Sequence, residues 1–261
     1  MDRRTFIATT SIAAVMASNL TQAAEPGSQQ QFIELRQYHL QVGNKKQPFN
    51  DYLEKTGIPA LNRAGIEPVG AFSVMFGQNK PSMYLLLPHQ NIDSVLHFVD
   101  TMMKDQEQGE AGMEYAEASI SEPMYLRFES SLMRAFSGMP RVEIPKAVQG
   151  KDSRIFELRI YESHNEPAGV KKIEMFNEGG EIAIFRKTGL DPVFFGETII
   201  GQQMPNLTYM LAFESMEARS QAWDNFRNDP DWKKLSADTR YKDTVSNISD
   251  IILRPFPFSQ I

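Results

Sequence analysis

Residues 32–40, FIELRQYHL, alternate apolar with charged or polar side chains, the period of a strand whose two faces meet different surroundings. Residues 155–163, IFELRIYES, repeat the pattern. Aligning Glu34-Leu35-Arg36 with Glu157-Leu158-Arg159 gives a shift of 123, which becomes 124 after one inserted residue. Under that shift Gly65 falls on Gly189, Pro68-Val69 on Pro192-Val193, Gly77-Gln78 on Gly201-Gln202, Pro81 on Pro205 and Asp105 on Asp229. Near the ends LMRAF at 132–136 matches ILRPF at 252–256, at a shift of 120. A period of this kind marks two copies of one unit, 31–136 and 154–258, joined by a Pro-, Gly- and charge-rich linker at 137–153.

Each copy predicts strand, helix, strand, strand, helix, strand. After the first strand, 47–64 and 167–188 carry apolar residues at helical spacing, such as Phe49, Leu53, Ile58 and Leu61. Gly57 and Pro59 in one copy, and Gly179 and Gly180 in the other, predict an interruption of that helix. Gly65 and Gly189 then stand where a left-handed C-cap is wanted. PVGAFSVMF and PVFFGETII predict second strands, and SMYLLLP and NLTYMLAFE third strands, joined as hairpins across GQNKP and GQQMP. Second helices follow at about 91–104 and 215–228.

The order βαββαβ is the ferredoxin-like unit, an α+β arrangement whose sheet has helices on one face only. The bare face must be covered, and two copies in one chain can cover each other by packing sheet to sheet as an intrachain dimeric α/β barrel. On the first strand Ile33, Leu35 and Gln37 point one way and Glu34, Arg36 and Tyr38 the other. The expectation is that the apolar set lies under the helices. The polar set, with Glu157, Arg159 and Tyr161, is then expected to face the barrel interior and to form a ligand-binding lining. The plainer reading of Glu34/Arg36 and Glu157/Arg159 is a pair of ion pairs that brace the sheets.

The ELRxY first strand, the GxxPVG-like start of the second, the GQ…P hairpin, SMEAR opening the last helix and NDPDW closing it resemble the NIPSNAP family. The resemblance spans most of 31–258, counted twice, and is fuller in the second copy. The first copy has Asp105-Gln106-Glu107-Gln108 in place of Asp229-Pro230-Asp231-Trp232, and nothing like SMEAR. The resemblance implies the dimeric α/β-barrel fold and supplies no catalytic residues.

Composition narrows the chemistry. With no cysteine in 261 residues, disulfides, thiolate nucleophiles and Cys-ligated metals are excluded. A formal charge of −6 argues against a nucleic-acid partner. The four histidines, His39, His89, His97 and His164, show no ligand spacing, so no metal site is predicted, and exposed or capping roles fit them best. Asp229-Pro230-Asp231-Trp232 reads as a helix start, with Asp as N-cap and Pro at N1. Arg63, Arg186 and Lys187 sit in the last turn of the first helix, where cations complement the helix dipole, or where they guard the barrel mouth. Met75, Met83, Met102 and Met103 fit core filling better than haem ligation.

Residues 1–24 read as an export signal: a basic MDRRTF, a short apolar run, then TQAA for cleavage. Arg3-Arg4 followed by Phe6 and Ile7 fits a twin-arginine motif, although Ala8 stands where Lys is common. The expected mature protein is periplasmic or otherwise exported. It has no apolar run of about 18 residues that would insert in a membrane, and homo-oligomerisation is left open. Two functions follow as expectations: a binding protein holding a small molecule in the lumen, or an oxidoreductase using the same space. No cofactor is predicted. Haem enters only by analogy with other barrels of the fold, as does a cofactor-free oxygenase with His39 or His164 as base. Replacing Arg3 and Arg4 together by Lys is expected to abolish export, read as loss of a mature N-terminus near Ala24 or Glu25; unchanged export would point to the general secretory route.

Overall fold

The computed structural model describes residues 29–41, 46–77, 81–105, 107 and 109–261. The export segment and the middle of the GQNKP turn lie outside them. The first half runs β1 (Phe32–His39), α1 (Lys46–Tyr52), a π-helical turn (Leu53–Gly57), α2 (Ile58–Arg63), β2 (Gly70–Phe76), β3 (Ser82–His89), α3 (Ile92–Lys104), α4 (Gly109–Ala116) and β4 (Arg127–Ala135). The second half repeats the order with β5 (Ile155–Glu162), α5 (Glu166–Asn177), α6 (Glu181–Thr188), β6 (Asp191–Ile200), β7 (Asn206–Phe213), α7 (Met216–Asn228), α8 (Pro230–Ser236) and β8 (Asn247–Pro255).

Local chemistry sets the breaks. Pro59 sits at the start of α2 and lacks the N–H that an α-helix would use, so the chain passes Leu53–Gly57 as a π turn and stays helical. In the second half the helix stops at Asn177, turns through Gly180 at φ 85 and restarts at Glu181. Gly189, at φ 86, closes it. Asp229 caps α8 by accepting from the N–H groups of Asp231 and Trp232.

The eight strands close in the order β1-β3-β2-β8-β5-β7-β6-β4. The halves meet along two antiparallel seams: β2 with β8, where Val74 faces Leu253, and β4 with β6, where Ala135 faces Gly196. Glycine is required at 196, because a Cβ there would lie 2.8 Å from that of Met133.

The lumen is where the expectation about strand faces fails. Alternate residues of all eight strands fill it, among them Ile33, Leu35, Phe72, Phe156, Leu158 and Phe194, and all six are buried. Val148 from the linker and Ile261 from the C-terminal tail join the same cluster. A space of about 60 Å³ remains near Gln37, Tyr84, Glu129 and Asn206. Ile33 and Leu35 therefore point inward. Glu34, Arg36, Tyr38, Glu157, Arg159 and Tyr161 lie on the outer face, between sheet and helices. An eight-stranded barrel is narrow enough for its own side chains to fill, and here the interior takes the uncharged set. Both faces of β1 and β5 are covered, one by the lumen and one by helices, and alternation alone does not say which is which.

Candidate ligand-binding site

The outer faces of β1 and β5 each carry one buried carboxylate, and its partners differ between the halves. Glu34 accepts from Arg36 Nε (2.6 Å) and Nη2 (3.2 Å) and from Ser130 Oγ on β4 (2.6 Å). His89, fully buried at the end of β3, places Nε2 3.5 Å from Glu34 Oε2, beyond a well-formed hydrogen bond, while its Nδ1 pairs with Ser94 Oγ at 3.0 Å. Burial alone would raise the Glu34 pKa; His89, Arg36 and Ser130 outweigh it and hold the carboxyl at about 2. Arg36 lies between the rings of Phe98 (4.3 Å) and Phe128 (5.0 Å) and donates to the Tyr38 hydroxyl at 3.4 Å.

Glu157 is fully buried and accepts from Arg159 Nη1 (2.9 Å), Trp223 Nε1 (2.7 Å) and Arg219 Nε (2.9 Å) and Nη2 (2.5 Å). Arg219 and Trp223 belong to α7, so this carboxylate ties the helix to the strand beneath it. Under the 124-residue shift Val95 stands where Arg219 stands, and among the described residues no α3 side chain bonds Glu34. Tyr161 accepts a hydrogen bond from Tyr209 at 2.8 Å.

The six sequence-predicted residues thus form two separate clusters, one per half, and no shared lining. Among the histidines, His39 pairs with Glu129 at 3.0 Å, and His97 and His164 are exposed. His89 departs from the exposed or capping role expected of it, because the end of β3 runs under α3. The cations at the ends of α2 and α6 are engaged in ion pairs: Arg63 with Asp105 (2.5 Å), Arg186 with Glu143 (2.9 Å) and Lys187 with Asp229 (2.7 Å) and Asp231 (2.6 Å).

Open space lies among the helices of the first half, as a half-open cleft between α1, α2, α3 and α4, and continues beneath them to the sheet. A cavity of about 620 Å³ is walled by Tyr52, Met102, Met103, Tyr115, Met124 and Tyr125, with Ala60 and Ala116 among its small residues. A smaller chamber of about 150 Å³ shares Tyr52, Met102, Met103 and Tyr115 with it and reaches Arg36 and Tyr38. Tyr52 and Tyr115 stack at 3.9 Å between the two, and the hydroxyls of Tyr115 and Tyr125 lie 3.3 Å apart. Burial pushes the Tyr52 phenol up to about 12, and burial and the Tyr125 contact raise that of Tyr115. These phenols are neutral hydrogen-bonding groups in a largely apolar space.

The same layer of the second half is filled. The repeat shift pairs Ala60 with Ile184, Leu61 with Phe185, Leu85 with Tyr209, Val99 with Trp223 and Met102 with Phe226, each time a smaller side chain in the first half. Phe185, Tyr209, Trp223 and Phe226 are buried together there, Phe185 lying 4.9 Å from Phe226 and 5.7 Å from Tyr209. The size comparison was available from the sequence. The tyrosine cluster was not, because Tyr115 and Tyr125 lie in a stretch with no counterpart motif.

A closed barrel of eight strands built from two βαββαβ-like halves, each with helices outside, defines the dimeric α/β-barrel class. Residues 156–260 match the NIPSNAP family, so the second half of the chain carries a NIPSNAP domain. Among solved structures, a putative monooxygenase from Lactobacillus acidophilus NCFM is 8% identical, with 87% of this chain and 94% of that one aligned at a TM-score of 0.58. An anthrone oxidase-like protein is 11% identical over 87% of this chain and 92% of its own, at a TM-score of 0.51. A NIPSNAP-like domain protein from Burkholderia xenovorans is 23% identical, covering 41% of this chain and 90% of its own at a TM-score of 0.37. At these identities the first two establish a shared fold. Curated proteins contain no match to the chain.

The depressed Glu34 pKa is a stability statement. A carboxyl whose folded pKa lies below its unfolded value stabilises the fold above the unfolded pKa, near about 4.3, and that stability disappears as pH falls through about 2. Between pH of about 6 and about 2, wild type is expected to lose about 3 kcal/mol more than Glu34→Gln, read by urea unfolding. Parallel pH profiles for the two proteins would contradict the buried ion-pair account.

Proposed function

We propose that this protein binds one small, largely apolar molecule beneath the helices of its first half, with the polar end of the ligand directed toward Arg36 and Tyr38. The observation that carries the reading is the contrast between halves: a tyrosine- and methionine-lined space of about 620 Å³ in one, and a solid aromatic layer at the equivalent positions of the other. Pockets of this size and apolar lining, with a few placed polar groups, suit small-molecule ligands. Methionine and tyrosine walls supply adaptable apolar contact with hydrogen-bonding edges. The lumen, packed by its own strands, leaves no comparable room. We place the binding protein in an exported compartment on the strength of the N-terminal signal pattern, with a small molecule as its partner in preference to nucleic acid.

A second reading, oxidoreductase turnover of the same ligand, has one observation in its favour. Glu34, Arg36 and Tyr38 form a hydrogen-bonded chain whose guanidinium and phenol border the inner chamber, where they would meet a reacting group. No histidine lines either chamber among the described residues, so a histidine-ligated haem does not fit the site.

Native mass spectrometry of the protein purified from its own compartment is expected to show one discrete small-molecule adduct that is released on denaturation. Ala116→Phe, which fills the outer cavity from α4, is expected to remove the adduct without moving the thermal midpoint. An adduct kept in full by that variant would contradict the assignment. Oxygen uptake with the released molecule as substrate separates binding from turnover.

A further inference from the structure

A second binding feature lies in the other half, on the outer side of α7, and is independent of the first-half cavity. Arg159, Arg219, Trp223, Phe226 and Trp232 line a slot of about 320 Å³, with Ser220 on its wall and the ion pair of Asp224 with Arg227 beside it. Its electrostatics are unequal to those of the equivalent place in the first half. There Arg36 is matched to Glu34 by two hydrogen bonds and to Tyr38 by a third. Here Arg159 and Arg219 share the single carboxylate of Glu157, and Arg219 takes two of its hydrogen bonds. Arg219 also reaches the half-exposed Asp250 at 3.9 Å.

Arg159 donates Nη1 to Glu157 at 2.9 Å and also contacts the Tyr161 hydroxyl. Its Nε is buried and has no hydrogen-bond partner among the described residues. Its guanidinium lies over the Trp223 ring at 4.6 Å, and Trp232 packs on Phe226 at 4.3 Å across the same slot. A cation with unused donors beside flat apolar walls recognises an anion carried on a flat apolar body.

We propose that this slot binds a planar aromatic carboxylate, its ring against Trp232 and Trp223 and its carboxylate on Arg159. The volume suits one or two fused rings, at the small end of the range of ligand pockets. The two tryptophans of the chain both line this slot, so their fluorescence reports on it and is remote from the first-half cavity.

Titrating the folded chain with naphthoate is expected to quench tryptophan fluorescence saturably, and the neutral naphthylmethanol to bind at least about tenfold more weakly. Arg159→Met is expected to weaken naphthoate by a similar factor; Glu157 keeps Arg219 and Trp223 as partners, so the variant should fold. Ser220→Phe narrows the slot without touching the charges, and should abolish the quench at an unchanged thermal midpoint. Equal affinity for acid and alcohol, or unchanged naphthoate binding in Arg159→Met, would overturn carboxylate recognition. Unchanged binding in Ser220→Phe, or no saturable signal in wild type, would overturn the slot itself.

Discussion

A carboxylate buried beneath a helix layer is costly unless every lone pair is met, and the arrangement of this protein follows from meeting that demand twice in different ways. In the second half Glu157 is met from above, by Arg219 and Trp223 of α7, and the helix is held down on the sheet. In the first half Glu34 is met from within the sheet, by Arg36 on its own strand, Ser130 on the neighbouring strand and the nearby His89. No α3 side chain bonds Glu34 among the described residues. The space under the first-half helices is compatible with that freedom, and the smaller side chains at Ala60, Leu61, Leu85 and Val99 create it.

The barrel interior imposes the complementary constraint. Eight strands enclose a core of their own apolar side chains, and neither half can bury its share of that core without the other. Charged residues on β1 and β5 are thereby sent outward to the helix layer. Duplication supplied two copies of this outer layer on one rigid scaffold. With the barrel held by all eight strands, one copy could be packed more fully with aromatic rings while the other kept the larger open space.

Much of this was legible in the sequence. The repeat of FIELRQYHL and IFELRIYES, the helix breaks at Gly57-Pro59 and Gly179-Gly180, and the cap at Asp229 are local signals, and each has a local physical cause. The direction in which Glu34 and Glu157 point was not, because alternation distinguishes two faces without naming them, and here both are buried. Glu157 and Arg219 are 62 residues apart, and their pairing depends on how α7 lies on β5. That arginine belongs to SMEAR, a motif visible in the second copy and missing from the first, so its absence at Val95, with that of Trp223 at Val99, was a sequence sign that the two halves hold their carboxylates differently.

The central claim is that the larger apolar space of this molecule lies among and beneath the first-half helices, with the lumen closed. Crystals of the protein pressurised with xenon test it directly, since xenon enters dry apolar cavities and scatters strongly enough to be located. The account predicts xenon among Tyr52, Met102, Tyr115 and Met124, and none among Ile33, Leu35, Phe156 and Phe194. Xenon inside the barrel with the first-half chambers empty would contradict it.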